Sequence, residues 1–193
     1  MLGMRSLTKD EVRLISESLS LRNRCIFILG IRTGFRIREL LSLNVSDVVD
    51  ESGSVRGMVR VQRKNMKCER ESRVMPVHEE ARELIRVYLK AFPASGDAPL
   101  FRSTGTADKP VGRLEYSVFW RALKKALTRA SIQDKHLVST HSMRKTFASE
   151  MNEAVEGNIY KLQKLMGHKD ISSTARYVAV NEKELFELVK NRK

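Results

Sequence analysis

The sequence predicts a mainly α fold with a small antiparallel β-sheet (α+β), on three observations. Apolar residues recur at helical spacing over long segments, as in Ala81, Leu84, Ile85, Tyr88 and Leu89, and again in Tyr116, Phe119, Trp120, Leu123, Leu127 and Ala130. Only two short stretches, Val55 to Gln62 and Arg73 to Val77, read as strands. The length of 193 residues fits a single domain, 1–193, able to bury a real core.

In chain order, Thr8 is a good N-cap, with Asp10 and Glu11 in the first turn of a helix running to about Leu19. A second helix, Arg22 to Arg32, contains the apolar run Cys25 to Ile31 and stops at Gly34, a natural C-cap. A short third helix covers Arg36 to Leu43. Asp50 to Gly53 is a turn cluster. The two strands flank a polar, basic tip over residues 63–70. Helices follow at Glu79 to Ala91 and Glu115 to Ala130, separated by a loop from Pro93 to Pro110 that holds three of the four prolines and room for one small strand at Leu100–Phe101. Shorter helices are expected at His141–Glu153, Asn158–Met166 and Ser172–Val178, and a last one at Glu182 to Lys190.

Hydrophobic residues make up 41% and charged residues 31%, ordinary for a globular protein. The net charge of +13 and the pI near 10.0 are not ordinary, and favour a polyanionic partner, usually nucleic acid. No stretch approaches the roughly 18 apolar residues of a membrane span. The N-terminus lacks a signal peptide's apolar core. Cys25 and Cys68, the only cysteines, support neither a disulfide framework nor a zinc site. An intracellular, cytoplasmic protein with no membrane association is the simplest expectation.

The last third carries a chemical constellation: Thr140-His141-Ser142-Met143-Arg144, then Leu165-Met166-Gly167-His168, then Tyr177. Together these supply a hydroxyl nucleophile, a fixed cation and two imidazoles, which is what attack on a phosphodiester needs. Tyrosine has a pKa near 10, so nearby cations must both lower its proton affinity and stabilise charge on the phosphoryl oxygens. Arginine suits this, because its planar fork holds two oxygens and stays protonated. No metal-ligand cluster is visible in the sequence, and no metal or other cofactor is expected. On a helix His141 and Arg144 share a face, with Ser139 or Thr140 as the cap; on spacing alone, a pair of surface neighbours is the simpler reading. Gly167-His168 reads in isolation as a C-cap followed by an exposed imidazole. Upstream, Arg36 follows a helix-ending glycine, and Glu39, three residues on, could orient its guanidinium or form only a surface ion pair. At the hairpin tip Lys64 and Lys67 are candidate proton donors to a leaving oxygen. Lys67, Arg70 and Arg73 also suit electrostatic contact with a DNA backbone.

In these motifs (Thr33-Gly34-x-Arg36-x-x-Glu39-Leu40, the lysine hairpin ending Arg73-Val74-Met75-Pro76-Val77, His141-x-x-Arg144, Leu165-Met166-Gly167-His168 and Tyr177) the chain resembles the catalytic domain of the tyrosine recombinase, or phage integrase, family over nearly its whole length. The resemblance implies a site-specific recombinase with topoisomerase IB-like chemistry. Arg36 and Arg144 would clamp the scissile phosphate. Tyr177 would attack it to give a 3′-phosphotyrosyl enzyme and a free 5′-hydroxyl. Lys64 would protonate the leaving oxygen, His141 would assist proton transfer at the tyrosine, and His168 would hydrogen-bond the phosphate. It further implies double-stranded DNA as partner, a homotetramer on paired sites, room for accessory DNA-bending proteins, and a bacterial or phage-encoded, nucleoid-associated setting. Leu185, Leu188 and Val189 would let the final helix dock on a neighbouring subunit or on its own.

Two departures accompany the resemblance. The family's N-terminal core-binding domain is absent from this sequence, which begins almost at the catalytic part and so reads as a fragment or as one of the short recombinases. The hairpin tip has Asn65-Met66 where the family carries a glycine, which leaves Lys67 as a substitute for Lys64. From a different class, the fold would also suit a non-catalytic, sequence-specific DNA-binding regulator.

Overall fold

The computed structural model describes residues 4–62, 72–104, 111–175, 177 and 190. It falls into two compact units, residues 1–147 and 148–193.

The first unit is built around one buried helix. Helix α1 (Lys9–Glu17) starts at the expected cap: the Thr8 hydroxyl accepts from the Glu11 amide, and the Glu11 carboxylate accepts from the Thr8 amide, a full capping box. Helix α2 (Leu21–Thr33) buries Asn23, Cys25 to Ile31 and Thr33, and its central run Cys25 to Ile31 is apolar on every side, as a segment enclosed by its neighbours must be. It packs against α1, against the short helix α3 (Ile37–Ser42), against α4 (Glu79–Ala91) and against α5 (Tyr116–Arg129). Gly30 lets two side chains come close to α2: a Cβ there would lie 3.1 Å from both Leu40 Cδ1 and Met143 Cε.

The predicted sheet is present and antiparallel. Strand β1 (Met58–Val61) pairs with β2 (Arg73–Pro76) in the register Met58↔Pro76 to Val61↔Arg73. Both strands are shorter than expected. Val55 makes only an isolated bridge to Val49, and the small strand foreseen at Leu100–Phe101 is reduced to bridges Asn44↔Pro99 and Arg102↔Arg113. Leu100 and Phe101 themselves are fully buried. The hairpin tip lies outside the described residues.

Helix α6 (Thr140–Ala154) begins in the first unit and ends in the second. Its start is pinned by the N-terminal segment: the Leu7 amide donates to Thr146 Oγ1 at 2.9 Å, and the Arg5 amide donates to the Leu137 carbonyl at 2.9 Å. Arg5 also forks onto Glu11, with Nη1 2.8 Å from Oε2, while Nη2 donates to the Gln133 carbonyl. In the second unit, α7 (Ile159–Met166) is capped by Asn158, ends at Gly167 in the left-handed region, and packs against α8 (Ile171–Ala175). The last predicted helix, with Leu185, Leu188 and Val189, lies outside the described residues but for Lys190.

The hydrogen bond from Arg5, reinforced by the Thr8 cap, holds the Glu11 carboxyl below the usual carboxylate range. A lowered carboxylate pKa stabilises the fold above that range and ceases to do so as the pH falls through the depressed value. Glu11→Gln should therefore lower stability by about 1 kcal/mol at neutral pH, and the gap to the parent should close in acid. Denaturant midpoints across pH measure this; a gap that does not change with pH would contradict the assignment.

Candidate active site

The corner between α2 and α3 organises the first unit's polar residues. Gly34 caps α2 at φ 62°, ψ 18°, its amide donating to the Gly30 carbonyl. Its face is closed by the Phe147 ring: an added Cβ would lie 2.3 Å from Phe147 Cδ1. A side chain is therefore excluded twice, by backbone conformation and by space. The carbonyls at the C-terminal end of the helix then meet cations, as the helix dipole favours. Arg144 Nη1 donates to the Gly34 carbonyl, and Arg73 Nη2 donates to the Thr33 carbonyl at 3.2 Å.

Arg36 follows directly and starts α3. Its amide donates to Glu39 Oε2 at 2.7 Å and its Nη1 to Glu39 Oε1 at 2.8 Å. The Glu39 side chain is 2% exposed and that of Arg36 37% exposed. This is no surface ion pair. A buried carboxylate is costly unless satisfied, and here one residue satisfies both oxygens while keeping an outer edge toward solvent. Glu39 thus fixes the χ angles of Arg36 and leaves part of a five-donor guanidinium open to an anion.

Of the two caps weighed for α6, Ser139 serves: its Oγ accepts from the His141 amide at 3.2 Å, and its own amide donates to Ser142 Oγ at 3.1 Å. His141 sits exposed in the first turn of this 15-residue helix, whereas Arg144, three residues on, is only 3% exposed. The shared face expected for the two therefore divides into an outward imidazole and an inward guanidinium.

In the second unit, His168 is not the exposed residue that isolated inspection suggests. Its Nδ1 lies 2.9 Å from Thr174 Oγ1, and its ring stacks on Tyr177 with centroids 5.8 Å apart and planes inclined by 20°. Asp170 caps the start of α8, its carboxylate accepting from the Ser172 amide and hydroxyl. Tyr177 is not on a helix as expected. Helix α8 ends at Ala175, and the Tyr177 amide donates to the Thr174 carbonyl at 2.9 Å in a tighter, three-residue turn. Thr174, fully buried, was missed from the sequence; its place one helical turn into α8 was the available signal.

Arg73, expected to meet a DNA backbone, is 9% exposed, and its guanidinium carbon lies 4.9 Å from the centroid of the Phe35 ring. Period-two alternation explains why: Met75 and Val77 are buried on the same strand face, and Arg73 is two residues before Met75. Lys64, Lys67 and Arg70 lie outside the described residues. Among the described residues no three His, Cys, Asp or Glu side chains group as metal ligands, and no helix is long and apolar enough to cross a membrane.

The first unit thus gathers two arginines at one corner, and the second stacks an imidazole on a tyrosine. The chain belongs to the phage integrase family, whose model matches residues 5–184. It is 35% identical over 173 residues to the tyrosine recombinase XerD of Rhizobium meliloti, covering 89% of this chain and 51% of that protein. The crystal structure of XerA recombinase superposes with a TM-score of 0.71 at 24% identity, over 99% of this chain and 65% of that one. XerH site-specific recombinase, bound to its difH substrate in a pre-cleavage complex, also gives 0.71, at 17% identity over 100% and 56%. The chain spans about half the length of the curated relatives it matches first.

Gly34→Ala tests the corner itself. A Cβ driven into Phe147 on a left-handed backbone should cost more than about 2 kcal/mol, seen as a lowered Tm. An unchanged Tm would show that the corner accommodates a side chain.

Proposed function

We propose that this chain is the strand-cleaving part of a site-specific DNA recombinase. Arg36 and Arg144 bind the non-bridging oxygens of the scissile phosphate, and Tyr177 attacks the phosphorus. The bond from tyrosine oxygen to phosphorus forms as the bond from phosphorus to the 5′-oxygen breaks, leaving a 3′-phosphotyrosyl enzyme. The tyrosine proton leaves with help from His141. The departing 5′-oxygen takes a proton from Lys64, or from Lys67 in its place. His168 donates to the phosphate while its stacking on Tyr177 limits where the phenol points. Attack by the 5′-hydroxyl of a partner strand reverses each step, so the bond energy is conserved and no nucleotide is consumed.

The observation that carries this reading is the corner at residues 33–39, where a buried carboxylate and a backbone carbonyl hold two guanidiniums from distant parts of the chain. Forked cations so fixed suit a phosphoryl group, whose transfer depends mostly on positioning and charge stabilisation. Arg144 is 3% exposed in the chain alone, so phosphate entry on this reading goes with its uncovering. Surface charge supports the same partner. Helix α5 exposes Arg121, Lys124, Lys125 and Arg129 and contains no acidic residue, whereas the arginines of α4 are paired with Glu79 and Glu83. Binding to duplex DNA is thus part of the proposal, as is a tetramer on two paired sites with room for accessory DNA-bending proteins.

Incubation with a nicked duplex, built from a site selected by retention on the protein, should give a covalent adduct on a denaturing gel. Tyr177→Phe should abolish the adduct while leaving non-covalent binding intact. Retention of the site without any adduct from the parent protein would instead favour a non-catalytic DNA-binding regulator.

A further inference from the structure

We infer that Arg73 is a positioning residue for Arg36, setting the corner from beneath without touching DNA; this rests on the reading that Arg36 binds the scissile phosphate. Arg73 opens β2 opposite Val61, on the strand face it shares with buried Met75 and Val77. Its guanidinium makes two different contacts with the corner. The guanidinium carbon lies over the Phe35 ring, 4.9 Å from its centroid, and Nη2 donates to the Thr33 carbonyl at 3.2 Å. A flat, weakly hydrated guanidinium can stack and donate in its own plane at once; a lysine ammonium on a flexible stem cannot do both.

The two contacted residues flank Gly34, whose carbonyl receives Arg144, and Phe35 immediately precedes Arg36. Residues 33, 34 and 35 are therefore each engaged by an arginine from elsewhere in the chain. On the far side Glu39 secures the Arg36 amide and guanidinium. With Arg73 removed, the corner would keep its Arg144 and Glu39 anchors, but the Phe35 ring and the Thr33 carbonyl would lose the group that fixes their height. A displacement of about 1 Å at a phosphate-binding fork is enough to cost on the order of 100-fold in rate. Arg73 also stands at the base of the hairpin, so the strand pair and the corner are tied at this point.

The test compares Arg73→Lys and Arg73→Met with the parent protein in three measurements: DNA affinity over a range of salt, single-turnover adduct formation on a nicked duplex, and the same reaction with sulfur at the 5′-bridging position. A thiolate leaves without needing a proton, so that duplex bypasses any donor on the hairpin. Both variants should bind DNA within about twofold of the parent with an unchanged salt slope, as for a residue that meets no phosphate. Adduct formation should fall about 10- to 100-fold, and sulfur should not restore it. A weaker affinity with a shallower salt slope would overturn the inference in favour of a DNA contact. Recovery on the sulfur duplex would overturn it in favour of a role in leaving-group protonation, and an unchanged rate would overturn it outright. Where Arg73→Met fails to fold, Arg73→Lys carries the comparison. If the parent itself forms no adduct, the functional reading fails separately, and amide hydrogen exchange at Phe35 and Arg36 decides: faster exchange in Arg73→Lys supports positioning, and identical exchange refutes it.

Discussion

The hydrogen bond from Arg144 to the Gly34 carbonyl is the constraint on which the rest of the first unit depends. It joins the end of the most deeply buried helix to the start of α6, two segments far apart in sequence. Little latitude surrounds it. Phe147 closes the face of Gly34, Met143 fills the space beside Gly30 one helical turn earlier, and both belong to the same helix as Arg144. Packing at the density of a protein interior makes such a joint stiff. Arg36 leaves this joint two residues beyond Gly34, and Glu39 then sets its guanidinium.

Charge is handled differently in different parts of the molecule. The corner carries its cations against a buried carboxylate and two backbone carbonyls, which fix their direction. Helix α4 cancels its arginines locally against its own glutamates at the surface, where such pairs contribute little to stability. Helix α5 has no acidic residue of its own to offset its cations. A net charge of +13 is thus unevenly spread, as expected for a protein whose anionic ligand must be attracted broadly and then gripped at a point.

Local chemistry was legible in the sequence wherever it is governed by short-range rules. The Thr8 cap, the stops at Gly34 and Gly167, and the pairing of Arg36 with Glu39 follow from spacing and residue type, and the structure has each of them. The family, too, could be recognised from five motifs in order. Side-chain direction was harder to foresee. Arg73 looks like one more cation on a basic hairpin until the burial of Met75 and Val77 fixes which strand face is inward. His168 meets Thr174 on α8, whose start Asp170 caps, and the Tyr177 amide bonds back to the Thr174 carbonyl in a three-residue turn. Arg144 is buried while His141 is exposed because a separation of three residues rotates a helix by about 60° from alignment, enough to cross the boundary between core and solvent.

The central claim is that one corner aims two arginines at one phosphate. A double-mutant cycle of Arg36→Lys and Arg144→Lys, read as single-turnover adduct formation on a nicked duplex, tests it most directly, since both substitutions keep the charge and remove only the fork. If the two forks act as a unit, either change alone should cost most of the rate, and the double variant should be little worse than the poorer single one. Losses that simply multiply would contradict a shared phosphate and leave the corner with a structural role only.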